Sequence, residues 1–208
     1  RNRAENQIKL VMIRHGATPS NKEHRYLGRT DEGLSMEGEQ ALQEARNAYP
    51  YIDYLFSSPM RRCIQTARIL YPKQEIFMIP EWVEMDFGDF EGKNYVELKD
   101  NEYYQKWIDS NGTLPFPNGE RREDFIERCK QGFYKMLLQL KSQNQMNSTM
   151  TAGLVIHGGT IMSLLSTFYG GEYFDYQVGS GQGYVCTLKE IQGYLQMVDV
   201  QKIGQDRL

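Results

Sequence analysis

Apolar runs alternate with amphipathic segments along most of this chain. Runs rich in apolar residues predict buried strands at residues 8–13, 51–56, 75–79 and 153–156. Between them, apolar residues recur at helical spacing, which predicts helices from Ser35 onward, over 59–71, over 118–143 and over 160–169. Strands that alternate with helices favour an α/β fold. We expect a three-layer sandwich in which helices flank a mostly parallel central sheet.

Other stretches depart from this alternation. Residues 14–34 are rich in Gly, Pro and Asn and predict a loop. Residues 80–119 are irregular and aromatic, and we expect short helices there that form a lid segment. Two late runs, at 183–189 and 194–200, predict a hairpin around Gly193.

The remaining polar stretches carry little pattern. Residues 1–7 predict a loose end, and residues 144–151 a polar linker. A length of 208 residues suits one domain with a substantial core, so we predict a single domain over 1–208 with its lid at 80–119.

Composition narrows the classes of partner. A net charge of −3 lacks the basic excess of a nucleic-acid binder, and the absence of an apolar run near 18 residues in the sequence argues against a membrane span. The widely separated Cys63, Cys129 and Cys186 favour free thiols in a reducing compartment, so we expect a cytoplasmic protein. We expect a monomer or homodimer that acts on a small molecule.

Chemistry-bearing residues follow the predicted strands. Two of the three histidines, His15 and His157, each follow an apolar run and precede glycine. Ser57 and Ser58 lead from another run to Arg61 and Arg62, and Glu81 or Glu84 follows a fourth. Ligands of open α/β sheets bind at the carboxyl ends of the strands. Imidazole and guanidinium groups at one such edge suit a phosphoryl group.

The motifs also match a family. Arg14-His15-Gly16-Ala17-Thr18 followed by Asn21 resembles the signature of the histidine phosphatase superfamily. The resemblance continues in order to about residue 165, through the blocks Gly28-Arg29-Thr30-Asp31 with Leu34-Ser35, Ser57-Ser58-Pro59-Met60 with Arg62 and Thr66-Ala67, Glu84-Met85-Asp86-Phe87-Gly88 with Phe90-Glu91-Gly92, and His157-Gly158-Gly159.

This resemblance implies a role for each matching residue. His15 would be the nucleophile that becomes a phosphohistidine, Arg14 and Arg62 would grip the phosphate, and Glu84 would be general acid and then base. His157 would stabilise the transferring group with backbone N–H groups near Gly158, and Asn21 would add a donor. Neither a metal nor another cofactor is implied. The stretch with Arg25, Tyr26, Arg29 and Thr30 would line the substrate mouth, with Arg29 and Thr30 binding substrate.

Several assignments have competitors. Arg61 and Arg62 point about 100° apart on a helix, so one of them faces the phosphate, and the family spacing favours Arg62. Glu81, Asp86 and Glu91 compete with Glu84, which the Glu-x-x-Phe-Gly pattern favours. His24 is most simply a surface loop residue. Tyr95 and Tyr104 are candidates to stack on an organic leaving group.

The resemblance implies a metal-independent phosphomonoesterase that acts on a small phosphorylated metabolite. The block Tyr26-Leu27-Gly28-Arg29-Thr30-Asp31 is similar to α-ribazole phosphatases, which makes α-ribazole 5′-phosphate a candidate substrate. Arg121 stands where the family often has a small hydroxyl residue, and a cation beside the pocket favours a more acidic substrate.

Two other functions stay open. A cofactor-dependent phosphoglycerate mutase is the first alternative, and the acidic segment after Glu84 disfavours its doubly phosphorylated intermediate. A non-catalytic module that binds a phosphorylated ligand or a protein is the second.

Overall fold

The computed structural model describes residues 7–143 and 149–204, and its centre is a six-stranded sheet. The strands are β1 (Ile8–Arg14), β2 (Tyr54–Ser57), β3 (Ile76–Met78), β4 (Met150–Ile156), β5 (Gly183–Ile191) and β6 (Tyr194–Ile203). They lie in the order β3-β2-β4-β1-β5-β6. The first four run parallel, whereas β5 is antiparallel to both β1 and β6. The predicted mostly parallel sheet is confirmed.

Helices cover both faces of this sheet. They are α1 (Pro19–Lys22), α2 (Met36–Ala45), α3 (Arg61–Leu70), α4 (Tyr95–Leu98), α5 (Glu102–Asp109), α6 (Arg122–Gln143) and α7 (Gly158–Phe168). On β1, Val11 and Ile13 pack with residues of α2 and α3, while Leu10 and Met12 pack with residues of α6 and α7. Because both faces are buried, the strand sequence is apolar without alternation. The three-layer α/β architecture is confirmed.

The helix starts differ in detail from the sequence prediction. Ser35 caps α2, and its side chain accepts a hydrogen bond from the Gly38 N–H as expected. The third helix begins at Arg61 rather than Pro59, with Met60 as its cap residue. The sixth begins at Arg122 rather than residue 118, because Asn118 takes a φ of 57° and the Glu120 N–H donates to the Asp86 carbonyl.

One helix was missed. Residues 14–34 were expected to be loop, yet α1 forms at Pro19. Thr18 caps it, its hydroxyl accepts from the Asn21 N–H, and the Asn21 side chain accepts from the Thr18 N–H. The signal was present as a capping-box-like Thr-Pro-x-Asn pattern with Pro at the first helical position.

The other segments largely follow expectation. Strands β5 and β6 form the predicted hairpin, whose turn places Gln192 and Gly193 at positive φ. Strand β4 starts earlier than expected, at Met150, so the predicted linker shortens; its residues 144–148 lie outside the described residues, as do residues 1–6 of the expected loose end. In the described ranges, no helix is long and apolar enough to cross a bilayer.

The lid segment contains α4, α5 and short 3-10 turns, as expected for 80–119. Its aromatic rings form a continuous cluster in which Phe90 lies at the centre. The rings of Tyr26, Tyr104, Trp107 and Phe116 all lie within 6.3 Å of the Phe90 ring, centroid to centroid. These mostly edge-to-face contacts extend the core on one face of the sheet into the irregular segment.

Candidate active site

The site forms where three parallel strands end together. Arg14, the last residue of β1, pairs with Ile156, the last residue of β4, and Ser57 of β2 pairs with Val155. The His15 N–H donates to the Ile156 carbonyl. This register brings the rings of His15 and His157 to a centroid distance of 5.3 Å at an angle of 66°. The two imidazoles predicted to share one sheet edge therefore lie side by side.

His15 is buried and presents one ring nitrogen for chemistry. Its Nδ1 lies 2.7 Å from the Gly16 carbonyl oxygen, which only accepts, so Nδ1 carries the proton and Nε2 keeps its lone pair. Burial lowers the pKa of His15 well below its ordinary value, and the charges of Arg14 and Arg62 lower it further. The neutral, nucleophilic form of the ring is thus favoured.

Two guanidinium groups flank this ring. Arg14 donates from Nη1 to the Val178 carbonyl at 2.6 Å, and Arg62 donates to the carbonyls of Thr30 and Gly28 at 2.9 and 2.8 Å. The Nε atoms of Arg14 and Arg62 are both buried without a hydrogen-bond partner. Leaving a buried donor unpaired costs about 1–3 kcal/mol, so two such donors beside one imidazole indicate a place for an oxyanion.

His157 lies behind His15, fully buried at the start of α7. Its Nε2 is 2.8 Å from the Ser58 hydroxyl, and the Cys63 sulfur lies 3.6 Å from the same nitrogen. Burial, with the charge of Arg62 next in effect, lowers the pKa of His157 well below its ordinary value. The ring is therefore held neutral between β2 and α3.

Glu84 supplies the carboxyl group. Its Oε1 accepts from the Met85 N–H at 2.8 Å and its Oε2 from the Gly159 N–H at 3.4 Å. Burial raises the pKa of Glu84, and this effect exceeds the lowering effect of the hydrogen bonds and of the nearby arginines. A raised pKa keeps the carboxyl group protonated to higher pH than a free glutamate, which suits a proton donor.

A glycine makes room for that carboxyl group. A Cβ on Gly159 would lie 2.5 Å from Oε1 of Glu84 and 2.9 Å from the Phe125 ring. The backbone of α7 can therefore approach the carboxylate as closely as it does because residue 159 has no side chain.

A cavity of about 690 Å³ opens in front of these groups. Arg14, His15, Asn21, Glu84 and Gly158 line it, whereas Arg62 and His157 are fully buried and are not among its lining residues. The Oδ1 of Asn21 accepts from the Thr18 N–H, so the amide group keeps its N–H donors for the cavity. Gly158 approaches the Arg14 side chain, since a Cβ there would lie 3.7 Å from Arg14 Nε.

Two predicted substrate residues lie elsewhere. Neither Arg29 nor Thr30 is among the described residues that line the cavity, which corrects the expectation that they line the mouth. Arg29 donates from Nε to the Glu84 carbonyl at 3.0 Å and pairs with Glu120 at 3.4 Å. Thr30 is exposed, and its carbonyl holds Arg62. The other two predicted residues of that stretch, Arg25 and Tyr26, do line the cavity.

The expectation that Arg121 lies beside the pocket is also wrong. Its side chain is 65% exposed and lies 3.9 Å from Glu123, so it does not stand beside the pocket. Arg122 lines the cavity instead. Arg121 precedes α6 and Arg122 is its first residue, so the two side chains leave the backbone in different directions.

The competing residues have other partners. Arg61 is exposed while Arg62 points inward. Glu81 pairs with Lys135, Asp86 accepts from the Gly88 N–H, and Glu91 accepts from the Gly28 N–H, so the geometry brings Glu84 to the cavity rather than these three. His24 is exposed on the loop after α1.

The aromatic residues on the cavity wall were not those expected. Tyr95 is 60% exposed and Tyr104 is buried in the lid cluster, and neither lines the cavity in the described structure. The cavity-lining rings are Tyr26, Phe87, Trp107, Phe116, Tyr173 and Phe174. No regular spacing in the sequence marks these rings, because they come from several separate segments.

Comparison with known proteins places this geometry in a family. The model of the histidine phosphatase superfamily (branch 1) matches residues 10–197. The chain belongs to that superfamily. It is similar to the "Uncharacterized phosphatase PhoE" of Bacillus subtilis strain 168, with 29% identity over 170 residues that cover 78% of each chain.

Relatives of this superfamily member include mutases as well as phosphatases. The "Probable phosphoglycerate mutase GpmB" of Enterobacter sp. strain 638 is 30% identical over 169 residues, which cover 78% of this chain and 75% of the relative. The crystal structure of the α-ribazole phosphatase from Shigella flexneri matches with a TM-score of 0.70 and 23% identity, over 92% of this chain and 94% of the other. That likeness shows a shared fold.

Proposed function

We propose that this histidine phosphatase superfamily member is a metal-independent phosphomonoesterase that acts through a phosphohistidine on His15. The observation that carries the proposal is the pair of buried, unpartnered Nε–H donors of Arg14 and Arg62 beside a neutral imidazole. The substrate would be a small phosphorylated metabolite, with α-ribazole 5′-phosphate as one candidate.

The reaction would proceed in two steps, phosphoryl transfer to His15 and then hydrolysis of the phosphohistidine. In the first, His15 Nε2 attacks phosphorus, the bond from phosphorus to the alcohol oxygen breaks, and Glu84 gives its proton to that oxygen. In the second, water attacks the phosphohistidine, the bond from nitrogen to phosphorus breaks, and Glu84 takes a proton from the water. The donors of Arg14, Arg62 and Asn21 would hold the phosphoryl oxygens throughout, with the N–H groups at the start of α7 and His157 in support.

The cations of the cavity support hydrolysis better than mutase activity, because those outside the phosphate site already have partners. A mutase must also bind a second phosphate, and the outer cavity contains Arg25 and Arg122. Arg25 is paired with Glu23 and Glu97, and Arg122 is stacked on Tyr173 and donates to the Asn111 carbonyl. The acidic segment after Glu84 disfavours a second phosphate as well, and its residues make local contacts such as that of Glu91 with the Gly28 N–H.

The decisive experiment measures turnover of p-nitrophenyl phosphate by the purified protein with and without EDTA. We expect equal rates in both, and we expect His15→Ala to abolish turnover because the nucleophile is gone. An alkaline quench during turnover should retain phosphate on the wild-type protein, and acid should release it, as for a phosphohistidine.

Four outcomes would contradict the proposal. A fully active His15→Ala protein would exclude the nucleophile, and loss of activity in EDTA would exclude a metal-independent reaction. Efficient bisphosphoglycerate-dependent isomerisation of 3-phosphoglycerate would favour a mutase. Vanadate binding without turnover would favour a non-catalytic module. We also propose that the protein is cytoplasmic and that it is a monomer or a homodimer.

A further inference from the structure

The leaving group of the proposed reaction must emerge on the side of the cavity where Glu84 lies, because that carboxyl group protonates it. Met85 and Phe87 follow Glu84 in sequence and line the cavity there. Tyr173 lines the same cavity. The alcohol that leaves phosphorus would therefore enter a part of the cavity that aromatic side chains line.

Two aromatic walls face this part of the cavity. The first is built by the lid and the loop after α1. The Tyr26 ring lies 5.1 Å from that of Phe87, and Trp107 lies 5.1 Å from Phe116, centroid to centroid. The second is the short 3-10 helix Tyr173–Tyr176, where the rings of Tyr173 and Phe174 meet edge to face at 5.1 Å. We name these the lid wall and the 3-10 wall.

Arg122 joins the two walls at their outer end. Its guanidinium carbon lies 4.7 Å and 4.9 Å from the ring centroids of Tyr173 and Phe174. Its Nη2 donates to the Asn111 carbonyl at 2.7 Å, on the turn that follows α5. Gly112 in that turn lets the guanidinium and Phe174 approach closely, because a Cβ there would lie 2.7 Å from Nη2. The planar cation thus extends the aromatic surface.

We propose that the two aromatic walls bind the alcohol portion of the substrate and select phosphate monoesters that carry a large planar aromatic group. This inference rests on the proposed function. A cavity of about 690 Å³ lies well inside the range of about 300–1,000 Å³ found for sites that enclose drug-sized ligands. A small phosphorylated acid would leave most of it filled with water and most of the rings uncovered.

The charged residues of the cavity also favour an aromatic rather than an acidic substrate. Beyond the phosphate site the lining offers the guanidiniums of Arg25 and Arg122. Arg25 already pairs with Glu97 at 2.7 Å, and Arg122 is engaged as described. A substrate carboxylate would have to compete for them, whereas an aromatic group gains contact with uncovered rings at no such cost.

The test compares two primary alkyl esters, ethyl phosphate and 2-(1-naphthyl)ethyl phosphate, whose leaving alkoxides have similar basicity. We expect kcat/KM to be about tenfold or more higher for the naphthyl ester, as aromatic contacts of this kind supply. Trp107→Leu and Phe174→Leu each keep an apolar side chain but remove one ring, from the lid wall and from the 3-10 wall respectively. Each should lower the ratio of the two kcat/KM values severalfold while ethyl phosphate turnover changes little.

Tyr95→Leu is the matched control, because that ring is exposed and lies outside the cavity lining. It should leave the ratio at its wild-type value. A wild-type ratio near one, or an unchanged ratio in both wall variants, would overturn the inference. If p-nitrophenyl phosphate is not hydrolysed either, the proposed function has failed instead, so the two failures are distinguishable.

Discussion

At the scale of single residues, opposite pKa shifts suit His15 and Glu84 to their proposed roles as nucleophile and proton donor. Burial lowers the pKa of the imidazole and raises that of the carboxyl group. Neutral His15 and protonated Glu84 therefore coexist over a wider pH range than free side chains would allow. This pair of states is the one that the first step of phosphoryl transfer to histidine needs.

This division predicts a pH profile. The rate of the first step should fall as pH drops through the lowered pKa of His15, and fall again as pH rises through the raised pKa of Glu84. Glu84→Gln should remove the alkaline limb and keep the acid limb. It should slow alkyl phosphates by about a hundredfold or more and aryl phosphates much less, because good leaving groups need no proton. Profiles of kcat/KM for both esters, wild type against variant, measure this.

The substrate also titrates, with a second phosphate pKa of about 6, but it does so equally for both proteins. The difference between the two profiles therefore isolates the protein group. An alkaline limb that persists in Glu84→Gln would assign it to another residue, and Glu91→Gln would then be the next variant to measure.

At the scale of elements, the segment that carries Glu84 is fixed to α6 and to the loop after α1 by one carboxylate. Oε1 of Glu120 accepts from Arg128 at 2.7 Å, from Arg29 at 3.4 Å and from the Asp86 N–H at 2.8 Å. The two arginines in turn donate to the Glu84 carbonyl, at 3.0 Å from Arg29 and 3.4 Å from Arg128. Glu120 is thereby a positioning residue for Glu84.

Glu120→Gln should accordingly misplace Glu84 without touching the phosphate site. The amide keeps the size of the side chain but removes the negative charge between two guanidiniums. We expect kcat/KM for alkyl phosphates to fall about tenfold, since small displacements of a reacting group are costly. Aryl phosphates should be affected less, because their leaving groups need no proton. The readout is the ratio of alkyl to aryl kcat/KM, which reports the first step alone and which a loss of stability alone would not move.

Glu127→Gln on α6 is the control, because Glu127 is exposed and pairs with Lys130. It should leave the ratio unchanged. Equal losses for both ester classes in Glu120→Gln would mean that Glu120 stabilises the fold in general rather than the position of Glu84.

At the scale of the whole molecule, the sheet and the groups at its edge were predictable, whereas the outer cavity was not. Buried strands such as β1 are encoded locally, and the positions of His15 and His157 follow from where such strands end. The outward turn of Arg29 toward Glu120 depends on a residue 91 positions away. Which rings of the lid face the cavity depends on packing among irregular segments, and no period in the sequence records it.

The same burial that tunes the site makes the stability of the whole molecule depend on pH. His15 and His157 are held neutral in the fold but become protonated near pH 6.5 in the unfolded chain, so the unfolded chain takes up two more protons below that pH. The free energy of unfolding should then fall by roughly 1.4 kcal/mol per pH unit for each histidine until its lowered pKa is reached. Glu84 opposes this, because its raised pKa makes the folded state bind a proton that the unfolded chain releases above about pH 4.3.

Urea unfolding at pH 7, 6 and 5 should therefore show that the free energy of unfolding falls as the pH falls. The slope of this free energy against pH should be shallower in His157→Gln and steeper in Glu84→Gln. His24→Gln, on the exposed loop, is the control. The opposite signs of the two slope changes make the prediction specific, and a slope unaltered by His157→Gln would show that this imidazole is protonated in the folded protein.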